Sequence, residues 1–247
     1  MNVAAHVLAI DAGNSRIKWG FADDSGWLRR AWINTADAAS IGDVLKDLPA
    51  PACIVVSNVA GGGVRDAIVG AFAHLNVAPI WVRGREQQCG VRSGYADPAQ
   101  LGSDRWAGLI AAWHLHGSAC VVVNAGTTMT VDALSNEGVF LGGVIVPGLE
   151  LMRSSLTHGT AQLKLAPGEF CYFPDNTADA IMSGAINALV GAIDRMRAYM
   201  EETRQGAPLV LLSGGAAALI QPRLNVRSEL VDNLVLDGLL EIARKGS

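Results

Sequence analysis

Two short stretches carry the residues with the clearest chemistry. Asp11-Ala12-Gly13-Asn14-Ser15-Arg16-Ile17-Lys18 follows the apolar run HVLAI, and Asn124-Ala-Gly-Thr-Thr-Met-Thr-Val-Asp132 follows the apolar run CVVV. In the first, a carboxylate stands at the carboxyl end of a strand, where ligands of α/β sheets gather. Gly13 lets the backbone turn tightly, Asn14 and Ser15 offer side-chain and backbone donors, and Lys18 adds positive charge one short strand away. These groups suit a polyphosphate, with Asp11 holding a magnesium ion or its water. The loop is neither GxxxxGK[ST] nor GxGxxG. In the second stretch Asn124 replaces the acid, Gly126 allows close backbone approach, Thr127 and Thr128 supply hydroxyls, and Asp132 ends the following strand. Gly214-Gly215, after LVLLS, has the form expected where backbone passes close to a flat ligand such as adenine or ribose. Alone it is also an ordinary strand-to-helix turn.

Between these turns lies YADPAQLGSDRWAG, in which Asp104 and Arg105 are adjacent at an expected helix start. The carboxylate is suited to accept a proton from a substrate hydroxyl, and the guanidinium to hold a carboxylate or a transferring phosphoryl group. The plainer reading is an Asp cap followed by a surface arginine. Tyr95 is a candidate for the same pocket. His114 and His116 lie two apart and face different sides of a helix, which disfavours a shared metal. His158, in SLTHGTAQL, is a weaker candidate as a substrate-side donor. Cys120 reads as a buried strand residue, the six Trp as core or interface anchors, and Arg29 with Arg30 as a solvated face.

The elements that must position these groups alternate between strand and helix. VLAI, IKWGFA and LRRAWIN read as a strand meander, followed by a helix in SIGDVLKDL, a strand in ACIVVSNV, a helix in GGGVRDAIVGAFAHL and a strand in APIWV. Residues 84–102 read as a long exposed connection with a binding role. A helix is expected over DRWAGLIAAWHLH, and then the opening pattern restarts with CVVVNAG, TTMTVDAL and VFLGGVIVP. Helical periodicity begins near Pro147, a long helix spans Thr177 to about Met200, and DNLVLDGLLEIA closes the chain as a helix. This predicts an α/β protein with a duplicated unit, divided into residues 1–117 and 118–247. Two copies imply a cleft between them.

Composition narrows the class. The 247 residues are half apolar and 17% charged, enough for a large core without disulfides or metals. Nineteen basic and 23 acidic side chains leave a net charge of -4 with no long basic run, so a nucleic-acid role has little electrostatic support. The four cysteines form no CxxC pair, which fits a reducing compartment. No stretch reaches the roughly 20 apolar residues of a membrane span, and the N-terminus lacks a signal-peptide pattern, so a cytoplasmic protein with no membrane partner is expected.

Taken together, Asp11-Ala-Gly-Asn-Ser-x-x-Lys18, Tyr95-x-x-Pro-x-x-Leu-Gly-Ser-Asp-Arg105, Asn124-Ala-Gly-Thr-Thr-x-Thr-Val-Asp132, Gly142-Gly-x-Ile-x-Pro-Gly148 with Thr160-Ala-Gln-Leu163, Thr177-x-Asp-Ala-Ile181 and Ser213-Gly-Gly-Ala216 resemble the type III pantothenate kinases. That family belongs to the acetate and sugar kinase, Hsp70 and actin superfamily. The resemblance implies a duplicated ribonuclease H-like fold with two lobes around a nucleotide cleft, a homodimer, and ATP-dependent phosphorylation of the 4′-hydroxyl of pantothenate, the first step of coenzyme A synthesis. It further implies that residues 11–18 cradle the ATP phosphates and magnesium, that Thr127 contacts ATP, and that Asp104 accepts the proton. Tyr95, Gly102, Ser103, Asp104, Arg105 and Thr177 would bind pantothenate. Where the family usually has Asp as a ligand for potassium or ammonium, this chain has Asn124, whose amide oxygen coordinates without a formal charge. Retained activity with a weaker or altered monovalent-cation requirement is expected. Lys164 stands where the family has a proline, which touches turn rigidity more than chemistry. The rivals are an accessory factor in virulence-gene regulation, against which the intact Asp11 and Asp104 motifs and the acidic chain argue, and a superfamily kinase or phosphatase acting on another hydroxylated acid or a sugar, which would keep both phosphate turns but lack the Tyr95–Arg105 pattern.

Overall fold

A computed structural model describes residues 6–159, 166–205 and 207–245. It divides into two compact units: the chain up to His116 together with that from Leu234, and Gly117–Asn233.

The first unit opens with β1 (Val7–Ala12), β2 (Arg16–Asp23) and β3 (Gly26–Asn34), an antiparallel meander as the alternation of apolar residues predicts. SIGDVLKDL is less helical than expected: a 3-10 segment (Thr35–Ser40) leads into the short α1 (Ile41–Leu45). β4 (Cys53–Asn58) then returns parallel to β1. α2 (Gly62–Phe72) and the two-residue β5 (Ile80–Trp81) complete a sheet of order β3-β2-β1-β4-β5. Residues 84–102, expected as an exposed connection, are partly folded. β6 (Gln87–Gln88) and β7 (Val91–Ser93) form a hairpin around Cys89 and Gly90, both at positive φ (49° and 87°), the backbone of a two-residue turn that follows the twist of its strands. Val91 and Leu101 are buried, and Gln88 Oε1 accepts a hydrogen bond from Trp106 Nε1 at 2.9 Å, which anchors the hairpin to α3 (Ser103–His116).

The second unit repeats the wiring. β8 (Cys120–Ala125), β9 (Thr128–Leu134) and β10 (Val139–Pro147) form the meander. The strand runs through Pro147, so helical structure starts two residues later than the periodicity suggests, at α4 (Leu149–Gly159). α5 (Thr177–Glu202) is followed by β11 (Leu209–Ser213), α6 (Ala217–Ile220) and β12 (Ser228–Leu230). β11 lies parallel to β8 and β12 parallel to β11, so the strand order β10-β9-β8-β11-β12 matches that of the first unit.

In each unit one face of the sheet packs into a cluster of buried apolar residues. Leu8, Ile10, Ala12, Ile17, Trp19, Ile54 and Val56 pack with Ile41, Ile68 and Phe72; Val121, Val123, Ala125, Met129 and Val131 pack with Ile186, Leu189 and Ile193 of α5. The closing helix α7 (Leu234–Lys245) falls, by sequence order, in the second lobe, yet it folds with the first unit. Packing accounts for this. Gly238 lies so close to Ala107 of α3 that a Cβ would meet its carbonyl oxygen at 1.8 Å, Trp27 Nε1 donates to Asp237 Oδ1 at 2.8 Å, and Arg244 Nη2 donates to the Asp23 carbonyl at 2.7 Å.

Candidate functional site

The Asp11 stretch is the tip of the β1–β2 hairpin. Gly13 N donates to the Arg16 carbonyl at 3.1 Å, closing the turn, and Thr35 Oγ1 donates to the Gly13 carbonyl at 2.7 Å, pinning it from β3's end. Asn14, Ser15 and Arg16 are exposed at the tip, whereas Ala12 and Ile17 point into the core and offer a ligand only backbone. Arg16 stacks over Trp32 at 4.1 Å.

Asp11 is Cα partner to Lys18 across the hairpin and to Ser57 on β4. Since Leu8, Ile10 and Ala12 fill the core, strand alternation places Asp11 on the opposite face, beside both partners. Its carboxyl is pushed up to about 7, by burial first, with Lys18 pulling it down and the charge of Asp104 adding to the rise. The carboxylate has no hydrogen-bond donor among the described residues, so its oxygens are open to a hard cation. No group of three or more His, Cys, Asp or Glu able to hold a metal lies among the described residues. The single carboxylate of Asp11 is the kind of protein ligand magnesium takes, since that ion typically binds one or two carboxylates and completes its shell with phosphate and water.

The adjacent α3 begins as expected. Asp104 sits in its first turn, with Oδ1 accepting from the Arg105 backbone N–H at 2.8 Å; a Cβ on Gly102 would meet that oxygen at 2.7 Å. Ser103 is buried against Ser57, their hydroxyl oxygens 2.9 Å apart. Arg105 is not a surface residue: it is only 8% exposed, and its Nη1 donates to the Tyr95 hydroxyl at 3.3 Å. The structure therefore brings Asp11, Lys18, Ser103, Asp104, Arg105 and Tyr95 into one unit around one sheet face and one helix start. Sequence reading missed Ser57 and Thr35. A lone polar residue inside IVVSN was a usable signal for Ser57; nothing in the sequence marks Thr35.

In the second unit, Asn124 stands on β8 opposite Thr130 and Ser213, its amide without a hydrogen-bond partner among the described residues. Thr127 is exposed at the β8–β9 turn. That turn is clamped by backbone: Gly148 N donates to the Thr127 carbonyl at 2.9 Å, and Ala216 N to the Ala125 carbonyl at 3.1 Å. Gly214 has φ of 98° and leaves no room for a Cβ, which would lie 2.6 Å from the Ala125 carbonyl group. Thr177 is the exposed first residue of α5, which Asn176 caps by accepting from Asp179 N at 3.0 Å. Of the weaker candidates, His114 Nδ1 pairs with Glu241 Oε2 at 3.2 Å. Cys120 is fully buried in β8. The side chain of His158, the stretch 160–163 and Lys164 lie outside the described residues.

Two units, each with a three-stranded meander extended by two parallel strands and a glycine turn after its first strand, define a protein of the duplicated α/β ATPase fold. Solved structures agree on the fold: a protein described as a Baf family transcriptional activator from Campylobacter jejuni (TM-score 0.60, 20% identity, 96% of this chain and 98% of that one) and one described as a 2-dehydro-3-deoxygalactonokinase from Sinorhizobium meliloti (TM-score 0.60, 17% identity, 97% and 96%). The chain belongs to the type III pantothenate kinase family, whose pattern it matches over residues 7–199. Relatives named type III pantothenate kinase include those of Nitrosospira multiformis, 48% identical over 98% of this chain and 92% of that protein, and Aromatoleum aromaticum, 46% identical over 97% and 98%.

Proposed function

We propose that the chain transfers the γ-phosphoryl group of ATP to the 4′-hydroxyl of pantothenate, opening coenzyme A synthesis. Family membership over most of the chain carries this reading. Residues 11–18 take the ATP phosphates through the exposed tip donors and Lys18, with Asp11 as the protein ligand of magnesium; that ion, when bound, neutralises phosphate charge. Thr127 contacts ATP, and Asn124 offers its amide oxygen to potassium or ammonium. Arg105, held by Tyr95, receives the pantothenate carboxylate as a charge-assisted pair, with Gly102, Ser103 and Thr177 as further contacts. Asp104 accepts the hydroxyl proton as the oxygen attacks in line. Since phosphoryl transfer depends mainly on alignment and charge stabilisation, the burial that fixes Arg105 and Ser103 is the chief contribution of α3. The rival regulatory role gains nothing from the Campylobacter jejuni protein, a likeness at 20% identity that speaks to fold alone.

The reading includes a homodimer working in the cytoplasm without nucleic-acid or membrane partners. For the dimer, α5 offers a small-residue face: Ala180, Gly184 and Ala188, with Met152 and Leu156 of α4, line an open apolar groove of about 510 Å³. Residues four apart share one helix face, and side chains this small let a second helix approach closely. Gly184→Glu should yield a monomer in sedimentation analysis; an unchanged dimer would place the seam elsewhere. For the other partners, the net charge of -4 and the lack, among the described residues, of a helix long and apolar enough to cross a membrane are supporting observations.

The decisive experiment is ADP release with purified protein, ATP, pantothenate, magnesium and potassium or ammonium, with product mass as a second readout. Catalytic formation of 4′-phosphopantothenate is expected. Intact ATP binding with no product would redirect the assignment to another hydroxylated acceptor.

A further inference from the structure

We propose that Ser57 is a positioning residue of the transfer reaction, fixing Asp104 relative to Asp11; this rests on Asp104 being the proton acceptor. Ser57 lies near the end of β4 and is fully buried. It is the Cα partner of Asp11, and partners on adjacent parallel strands face the same side. Ile54 and Val56 belong to the core, so Ser57 shares with Asp11 the face covered by α3 and α7. There its hydroxyl meets that of Ser103 at 2.9 Å, the residue immediately before Asp104.

A hydroxyl at this place has no packing advantage over a methyl group, and a buried one needs a partner. The partner it has is the first residue of the helix that presents Asp104 and Arg105. β1 and β4 are locked in register, so the bond ties the opening of α3 to the strand pair that carries Asp11. Without it, the first turn of α3 keeps its bonds to Tyr95 and Gln88, neither of which lies on the β1–β4 strand pair. A misplacement of about 1 Å at such a site costs on the order of a hundredfold in rate.

The second unit contains the same device. Ser213 closes β11 as the Cα partner of Asn124, and its hydroxyl donates to the Asp232 carbonyl at 3.4 Å, on the segment that leads into α7. In each unit a serine beside the residue before the Ala-Gly turn bonds to a residue at or just ahead of the start of a later helix, Ser57 at α3 and Ser213 ahead of α7. The duplication thus explains why a polar residue recurs at the end of two otherwise apolar strands.

The test is a double-mutant cycle on the full-length enzyme. Ser57→Ala should lower kcat for pantothenate phosphorylation about tenfold and leave KM for ATP within about twofold. In a Ser103→Ala background the same substitution should change kcat less than about twofold, because its partner is already gone. Ser57→Cys, which is slightly larger and keeps a weaker donor and acceptor, should fall between wild type and Ser57→Ala, and serves if Ser57→Ala does not fold. Equal losses in both backgrounds, or wild-type kcat in folded Ser57→Ala or Ser57→Cys, would overturn the proposal. Asp104→Asn, assayed alongside, separates the two assignments. If it turns over normally, the proton-acceptor role falls and this proposal with it; if it is impaired while Ser57→Ala is not, only the positioning role falls.

Discussion

Asp11 and Asn124 occupy the same position of a duplicated unit. Each is the fifth residue of a six-residue first strand, and each is followed by Ala and Gly at the turn. Their neighbours correspond too: Lys18 on the second strand and Ser57 on the fourth flank Asp11, and Thr130 and Ser213 flank Asn124. The first position thus pairs an acid with a cation, and the second an amide with two hydroxyls. The same scaffold thus places a carboxylate at one of the two positions and a neutral amide at the other.

From this follows a prediction for monovalent cations. A neutral amide attracts a cation less than a carboxylate does, so replacing sodium by potassium should raise the wild-type rate only modestly, by about threefold or less. Asn124→Asp should restore a stronger response, and potassium should raise its melting temperature more than that of wild type when ATP is present. Initial rates and melting curves in matched sodium, potassium and ammonium salts check both. A wild-type potassium response as steep as that of Asn124→Asp would show that the amide costs nothing.

Asp104→Asn should lower kcat by about a hundredfold to ten-thousandfold, the usual contribution of a positioned acid or base, while ATP affinity stays within about twofold. Asn keeps an oxygen that can still accept from the Arg105 backbone, so the helix start should survive. Calorimetric titration with ATP and single-turnover kinetics separate binding from chemistry. Normal single-turnover rates would exclude Asp104 as the proton acceptor.

How far the sequence discloses this site varies with the kind of interaction. The Asp11 and Asn124 turns and the start of α3 were legible because each depends on local pattern: an apolar run, then a turn residue or a helix cap. Arg105 was open to a surface reading, since its burial depends on Tyr95, ten residues away, and on elements that local pattern cannot bring together. The placement of α7 was illegible for the same reason. An amphipathic helix states that it has an apolar face, not which sheet the face meets, and the Trp27–Asp237 bond spans 210 positions. The Cys89–Gly90 hairpin was hidden because its strands are only two and three residues long, too short for alternation to register.

The close approach of α7 to α3 makes a stability prediction. Gly238→Ala places a methyl group 1.8 Å from the Ala107 carbonyl oxygen, and both are backbone-bound within packed helices, so one helix must move. Overpacking of this kind costs about 1–3 kcal/mol or more, which for a chain of this size lowers the melting temperature by roughly 2–4 °C per kcal/mol. Because Ala107 lies one turn from Asp104, kcat should fall as well. Gly63→Ala in α2, where a Cβ meets nothing within 4 Å, is the control and should leave both unchanged or raise stability slightly. Equal melting temperatures for the two variants would show that α7 yields without cost.

The buried Asp11 carboxyl couples stability to pH in the protein free of divalent cations. Burial raises it from 3.8 to about 7, so between those values the folded chain keeps a proton that the unfolded chain releases. Stability is then fully present below the unfolded value and is lost as pH rises through the folded one. The loss is at most about 4 kcal/mol, since each factor of ten in proton affinity corresponds to about 1.4 kcal/mol. Lys18 limits it by favouring the charged form. Asp11→Asn removes the titration, so its stability should decline less than that of wild type between about pH 4 and 8, and at pH 8 it should be the more stable of the two without magnesium. Magnesium with ATP should reverse that order at pH 8, because the charged carboxylate is the form that binds the ion. Denaturant titrations at pH 4, 6 and 8, with and without Mg-ATP, give all of these values. Parallel pH profiles for the two proteins would mean that Asp11 is already ionised in the fold, with Lys18 compensating for its burial.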